Sequence, residues 1–116
     1  MIDADLIPEV AARFKALSDE GRLRLLSALQ RGERCVGELA ELLGRPQPNV
    51  SQQLASLTHA GLVEARRDGT RAFYRIADPT ILRICEAVCD SLAGRSGEER
   101  RPPGEQRRRR RAGGGR

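Results

Sequence analysis

Residues 44 to 57 read Gly44-Arg45-Pro46-Gln47-Pro48-Asn49-Val50-Ser51-Gln52-Gln53-Leu54-Ala55-Ser56-Leu57. Before them, Val36, Leu39, Ala40 and Leu43 recur at i, i+3, i+4 and i+7, the spacing of one helical face. Gly44 stands where such a helix stops. Gly44-Arg45-Pro46-Gln47 then makes a short turn, and Pro48 sits where the first turn of a new helix tolerates proline. The new helix buries Val50, Leu54 and Leu57 and ends at Gly61. Its other face offers Asn49, Ser51, Gln52, Gln53 and Ser56. That face is uncharged, with short or amide side chains, where an ordinary solvated face more often carries Glu and Lys.

After Gly61 the period changes to two. Leu62 to Arg67 and Arg71 to Ala77 flank Asp68-Gly69, a strong hairpin signal. On the second strand Ala72, Tyr74 and Ile76 alternate with Arg71, Phe73 and Arg75. Asp78-Pro79 caps a last helix with Ile81, Leu82, Cys85, Val88, Cys89 and Leu92 on its apolar side. Toward the N-terminus, one helix is expected from Ile7 to Leu17 and a second from Glu20 to Gln30. Asp19 caps the second, Leu23, Leu26 and Leu29 stripe it, and Gly32 ends it.

Helix, short turn, polar-faced helix and basic hairpin together predict a winged helix-turn-helix. The fold class is mainly α with a small β-hairpin (α+β): about five helices plus a two-stranded wing. A major groove admits one α-helix, and amide side chains read adenine or guanine edges there. Arginines along a hairpin lie on the backbone or reach the minor groove. The candidate DNA-contacting residues are therefore Gln47, Asn49, Ser51, Gln52 and Gln53 on the helix and Arg66, Arg67 and Arg71 on the wing. The partner is double-stranded operator DNA.

Composition agrees. Aromatics are 3% of the 116 residues and Trp is absent, so the core is built from Leu, Val, Ile and Ala. The net charge of +5 is uneven: residues 94–116 hold nine Arg against three Glu, leaving residues 1–93 at −1. Within that body, positions 45 to 75 carry +3, a basic middle third between acidic flanks. Residues 1–93 are read as the winged helix-turn-helix domain and 94–116 as a disordered Arg/Gly-rich tail, with five Arg from Arg107 to Arg111 and nothing apolar beyond Ala112. Such a tail attracts phosphate without sequence preference. No apolar run approaches the roughly 20 residues of a membrane span. Asp3 and Asp5 argue against a signal peptide, and three cysteines are too few for a disulfide scaffold. The cytoplasm is the expected compartment. No Gly-rich phosphate loop is present, and the single histidine, His59, has no Cys or Asp arrangement near it in sequence. An enzyme is not expected, and no cofactor is required for DNA binding.

The sequence also resembles the ArsR/SmtB family of bacterial metal-responsive repressors. The matching residues are Ala16-Leu17-Ser18, Arg22-Leu23, Val36-Gly37-Glu38-Leu39-Ala40 and Gln47-Pro48-Asn49-Val50-Ser51-Gln52-Gln53-Leu54. Ala60-Gly61-Leu62-Val63, Arg67-Asp68-Gly69-Thr70, Tyr74 and Asp78-Pro79 follow in order. The resemblance covers Val10 to Leu92. It implies a homodimer, formed by the first and last helices, that represses an operon until an inducer binds. The chain departs from the family at the inducer site. Many arsenic and cadmium sensors carry Cys-Val-Cys at the start of the third helix; here the sequence is Cys35-Val36-Gly37. Zinc sensors use Asp and His along the last helix; Asp78 is kept, but the His positions correspond to Thr80 and Ser91.

Three cysteines remain. Cys85 and Cys89, at i and i+4, project from one helical face and suit a single soft ion. A disulfide between parallel Cβ vectors is geometrically poor. Cys35 is the candidate third sulfur. Against this stands plain packing, since free Cys is commonly a small buried hydrophobe. Sulfur without nitrogen ligands suits As(III) or Sb(III), or cadmium, lead or mercury. The alternative is a redox or reactive-sulfur switch using the same thiols. A third reading is a non-specific nucleic-acid-coating protein driven by the Arg tail.

Overall fold

The computed structural model describes residues 1–100, with side chains to residue 94. After one 3-10 turn (Ala4–Leu6) come α1 (Ile7–Leu17), α2 (Glu20–Leu29), β1 (Arg34–Cys35), α3 (Val36–Leu43), α4 (Gln47–His59), β2 (Val63–Asp68), β3 (Arg71–Ile76) and α5 (Thr80–Arg100). The fold is the expected winged helix-turn-helix. Met1–Asp78 forms one compact unit, and the helix α5 belongs to a second that begins at Pro79.

In the first unit the core lies between α2, α3 and α4 and the base of the sheet. Leu25, Leu26, Leu39, Val50, Leu54, Leu57, Leu62 and Val63 are its fully buried side chains, each worth about 1.5–3 kcal/mol of transfer free energy. On α4 the buried set is the expected Val50, Leu54 and Leu57. On α2 the face is turned. Leu25, Leu26 and Leu29 are buried while Leu23 is exposed, because Gly21, Leu25, Ala28 and Leu29 share the buried i, i+4, i+7, i+8 face.

The wing has three strands where two were expected, in the order β1-β3-β2. Arg34 and Cys35 pair antiparallel with Tyr74 and Phe73. Two residues are too short to show an alternating pattern, which is why the sequence does not announce β1. The hairpin turn is also shifted by one residue. Asp68 pairs with Arg71, so the loop is Gly69-Thr70, with Gly69 at φ 68. A positive φ at the first loop position followed by a negative one suits a type II′ turn, which places Gly first.

In the second unit, burial falls along α5. Ile81 is buried, Leu82, Ile84 and Cys85 are half-buried, and Val88, Cys89 and Leu92 are exposed. The helix continues past the boundary expected at Ala93, through Gly94 to Arg100. Extending an existing helix costs far less than starting one, and Arg95, Glu98, Glu99 and Arg100 are good helix formers. Residues 101–116, where most of the expected disordered tail falls, lie outside the described residues.

Candidate nucleic-acid interface and cysteine site

The α4 helix starts where Pro46 takes an extended conformation and Pro48 occupies the first turn. Gly44 ends α3 in the left-handed region and turns the chain into it. With Val50, Leu54 and Leu57 buried, the outward stripe is Gln47, Ser51, Gln52, Ala55, Ser56 and His59, all exposed. Gln47, Ser51 and Gln52 thus stand where a base-reading side chain must stand.

Asn49 is also exposed but is partnered, and Gln53 is turned inward. The Asn49 Oδ1 accepts from Arg45 Nη1 at 3.3 Å. Gln53 is half-buried and spends both ends of its amide inside the protein: Nε2 donates to Asp19 Oδ2 at 3.0 Å, and Oε1 accepts from Arg22 Nη1 at 3.0 Å. Periodicity places Gln53 on the polar face; it does not show that Asp19 and Arg22 approach it.

The wing arginines also differ from one another. Arg66 is held by Glu33, with Nη2 at 2.7 Å and Nε at 3.1 Å from its carboxylate oxygens. Arg75 is bound to Glu64 at 2.7 Å. Arg71 Nη2 donates to Cys35 Sγ at 3.1 Å. The guanidinium carbons of Arg66 and Arg71 each lie 5.1 Å from the centre of the Phe73 ring, a cation–π arrangement. The Arg67 side chain is exposed and has no hydrogen bond or ion pair among the described residues. Phe73 and Glu33 therefore organise the wing, a role that a count of charges does not reveal.

Cys35 belongs to this assembly rather than to a bare surface. It precedes α3, and its backbone N–H donates to Glu38 Oε1 at 2.9 Å, closing a capping box. That bond, with the Cys35 side chain beside it, holds the Glu38 carboxyl below the usual carboxylate range. Cys85 and Cys89 sit one turn apart on α5, the first half-buried and the second exposed. Burial pushes the Cys85 thiol up, and the neighbouring Cys89 and Glu86 push it further. Asp78, the acidic position kept from the zinc pattern, is ion-paired with Arg13. Among the described residues no three His, Cys, Asp or Glu side chains group to hold a metal ion. No helix among them is long and apolar enough to cross a membrane.

Comparison with known proteins agrees with this geometry. Residues 19–65 match the model of the bacterial regulatory protein, arsR family. The "Biofilm growth-associated repressor" of Agrobacterium fabrum is 44% identical over 80 residues, 69% of this chain and 68% of that protein. The "Probable mercury resistance operon repressor" of Streptomyces lividans is 45% identical over 75 residues, 64% of this chain and 60% of that protein. Among solved structures, the homodimeric winged helix-turn-helix DNA-binding domain of a possible ArsR-family regulator from Mycobacterium bovis superposes with a TM-score of 0.70. It is 40% identical and matches 77% of this chain and 82% of that one. Fold, order of motifs and sequence identity agree, and the chain belongs to the ArsR family of bacterial regulatory proteins.

Proposed function

We propose that this chain is a homodimeric, sequence-specific repressor that leaves its operator when a thiophilic metal or metalloid ion binds cysteine thiolates. The DNA-binding half rests on α4, whose exposed stripe of Gln47, Ser51 and Gln52 stands beside a wing bearing Arg67. The dimer half rests on exposed apolar side chains: Ile7 and Phe14 on α1, Val88 and Leu92 on α5. Surfaces of this kind mark association sites, and the M. bovis relative is homodimeric.

The inducer half rests on one observation: Cys85 and Cys89 lie one turn apart on one helix; burial raises the Cys85 thiol, and repulsion from Cys89 adds to it. A soft cation between two thiolates removes that repulsion. It also displaces thiol protons as it binds. Both the ion and an oxidant act on the thiolate, so the ion and redox readings are separated by titration rather than by the Cys85 thiol. Cys35 is the candidate third ligand. The ion acts only by binding the DNA-incompetent state better than the competent one.

The test titrates reduced protein on labelled operator with arsenite, antimonite, cadmium and mercury, and in parallel with peroxide and polysulfide. Release by the ions and not by the oxidants is the expected result. The reverse pattern would replace the ion by a redox signal.

A further inference from the structure

Gln53 bridges α4 to the first turn of α2. Its Nε2 and Oε1 are used by Asp19 Oδ2 and Arg22 Nη1, both at 3.0 Å. Asp19 Oδ2 also accepts from the Arg22 backbone N–H at 3.0 Å, as the cap of α2. Arg22 reaches back as well, from Nε to the Ala16 carbonyl at 2.7 Å and from Nη2 to the Lys15 carbonyl at 3.2 Å. Both carbonyls belong to the last turn of α1. One guanidinium and one carboxylate thus join the end of α1, the start of α2 and the middle of α4.

Gly21 shows how closely the parts fit. A Cβ there would lie 3.1 Å from both Asp19 Oδ2 and Gln53 Nε2 and 2.8 Å from Arg45 Nη1. Arg45 in turn donates to Asn49, one turn before Gln53 on the same side of α4. The α4 helix is therefore gripped along one flank by polar bonds, while its apolar face rests on side chains that carry no directional contacts.

We infer that Asp19 and Arg22, acting through Gln53, are positioning residues that set the rotation of α4 and hence which side chains meet base edges. The inference rests on α4 being the base-reading helix. Apolar packing alone fixes burial but tolerates small rotations. A planar guanidinium fork fixes direction. Hydrogen-bonded base readout needs donors and acceptors aligned within a few tenths of an ångström. Gln53 thereby leaves the set of base readers and joins the frame that holds them.

The test uses the full chain and the duplex it selects from a randomised library, with a scrambled duplex as reference. Gln53→Glu sets two carboxylates in contact and is expected to lower the ratio of selected to scrambled affinity about tenfold. Adding Asp19→Asn removes one of the two facing charges and is expected to recover part of the ratio; recovery is partial because Asp19 Oδ2 serves both the Arg22 N–H and Gln53, and one amide atom cannot both accept and donate. Gln53→Met removes both bonds without adding charge and gives the same loss should Gln53→Glu fold poorly; thermal melts check folding. Loss in Gln53→Glu to which Asp19→Asn restores nothing means that Gln53 touches DNA itself, and overturns the inference. A ratio unchanged in both Gln53 variants overturns it too. A Gln47→Ala/Ser51→Ala/Gln52→Ala variant separates the two levels. If it keeps full preference, α4 is not the reader and both readings fall; if it loses preference while the Gln53 variants do not, only the positioning role falls.

Discussion

Arg66 donates to both carboxylate oxygens of Glu33, a residue 33 positions earlier in the chain. The same carboxylate lies 3.6 Å from Arg75. Hydrogen bonding from Arg66, with the charges of Arg66 and Arg75, holds the Glu33 carboxyl below its ordinary value despite partial burial. If Arg66 meets a DNA phosphate, as proposed for the wing, Glu33 is its competitor. Each phosphate that reaches Arg66 must displace a carboxylate first, whereas Arg67 has no such competitor among the described residues.

Glu33→Gln is therefore expected to tighten binding to any duplex. The slope of log affinity against log salt steepens by up to about one unit as Arg66 becomes available, since Arg75 stays bound to Glu64. Arg67→Gln lowers that slope by about one unit, and Arg66→Gln by less. Glu9→Gln, which removes a charge on α1 rather than on the wing, is the control. Anisotropy titrations on a scrambled duplex at several salt concentrations measure all four. Weaker binding by Glu33→Gln would instead make Glu33 a support for the wing.

Gln52→Ala is expected to cost roughly 1–3 kcal/mol on the selected duplex if it loses a bidentate base contact. Scrambled DNA and the salt slope should change little, since no phosphate contact is removed. Competition between the two duplexes reads the difference. An equal loss on both would assign Gln52 to the backbone.

The helices and the Asp19 cap were legible because Leu, Val and Ala recur at helical spacing and the punctuating residues stand at the helix ends. The outward stripe of α4 was legible for the same reason. Pairing was not. Glu33 and Arg66, Cys35 and Arg71, and Asp19 and Gln53 are all more than thirty residues apart. Each pair is made by chain crossing that periodicity does not encode. The wing read as a row of equivalent positive charges becomes, once folded, arginines with different partners. The strand β1 escaped because its two residues are defined only by what they pair with.

Three carboxylates contribute to the acid behaviour. Hydrogen bonds from the Arg22 backbone to Asp19, from Arg66 to Glu33 and from the Cys35 backbone to Glu38 hold all three below their ordinary values. A group with a lowered folded value adds stability above its unfolded value and loses it as pH falls through the folded one. Melting temperature should therefore be level from about pH 7 to about pH 5 and fall below about pH 4. Asp19→Asn should flatten part of that fall, because an amide caps α2 without titrating. A decline that begins above about pH 5 would place the acid sensitivity elsewhere.

Cys85→Ser and Cys89→Ser are expected to keep operator binding and lose release by arsenite or cadmium. Neither residue lies on α4 or the wing, so DNA contacts survive; Cys85 is half-buried and Cys89 exposed, so serine at either leaves little buried polarity unmet. Because Cys85 is raised above its ordinary value, its proton must leave for the ion to bind. Release should then need less ion as pH rises, by about tenfold per pH unit for each thiol proton displaced. Cys35→Ser should abolish release only if the bound ion takes three sulfurs. It also removes the Arg71 contact, so its wing should be checked on scrambled DNA first. Titrating the single variants and the Cys85/Cys89 double variant across pH, with release read by anisotropy, decides the matter. A double variant that releases DNA as the parent does returns both cysteines to packing.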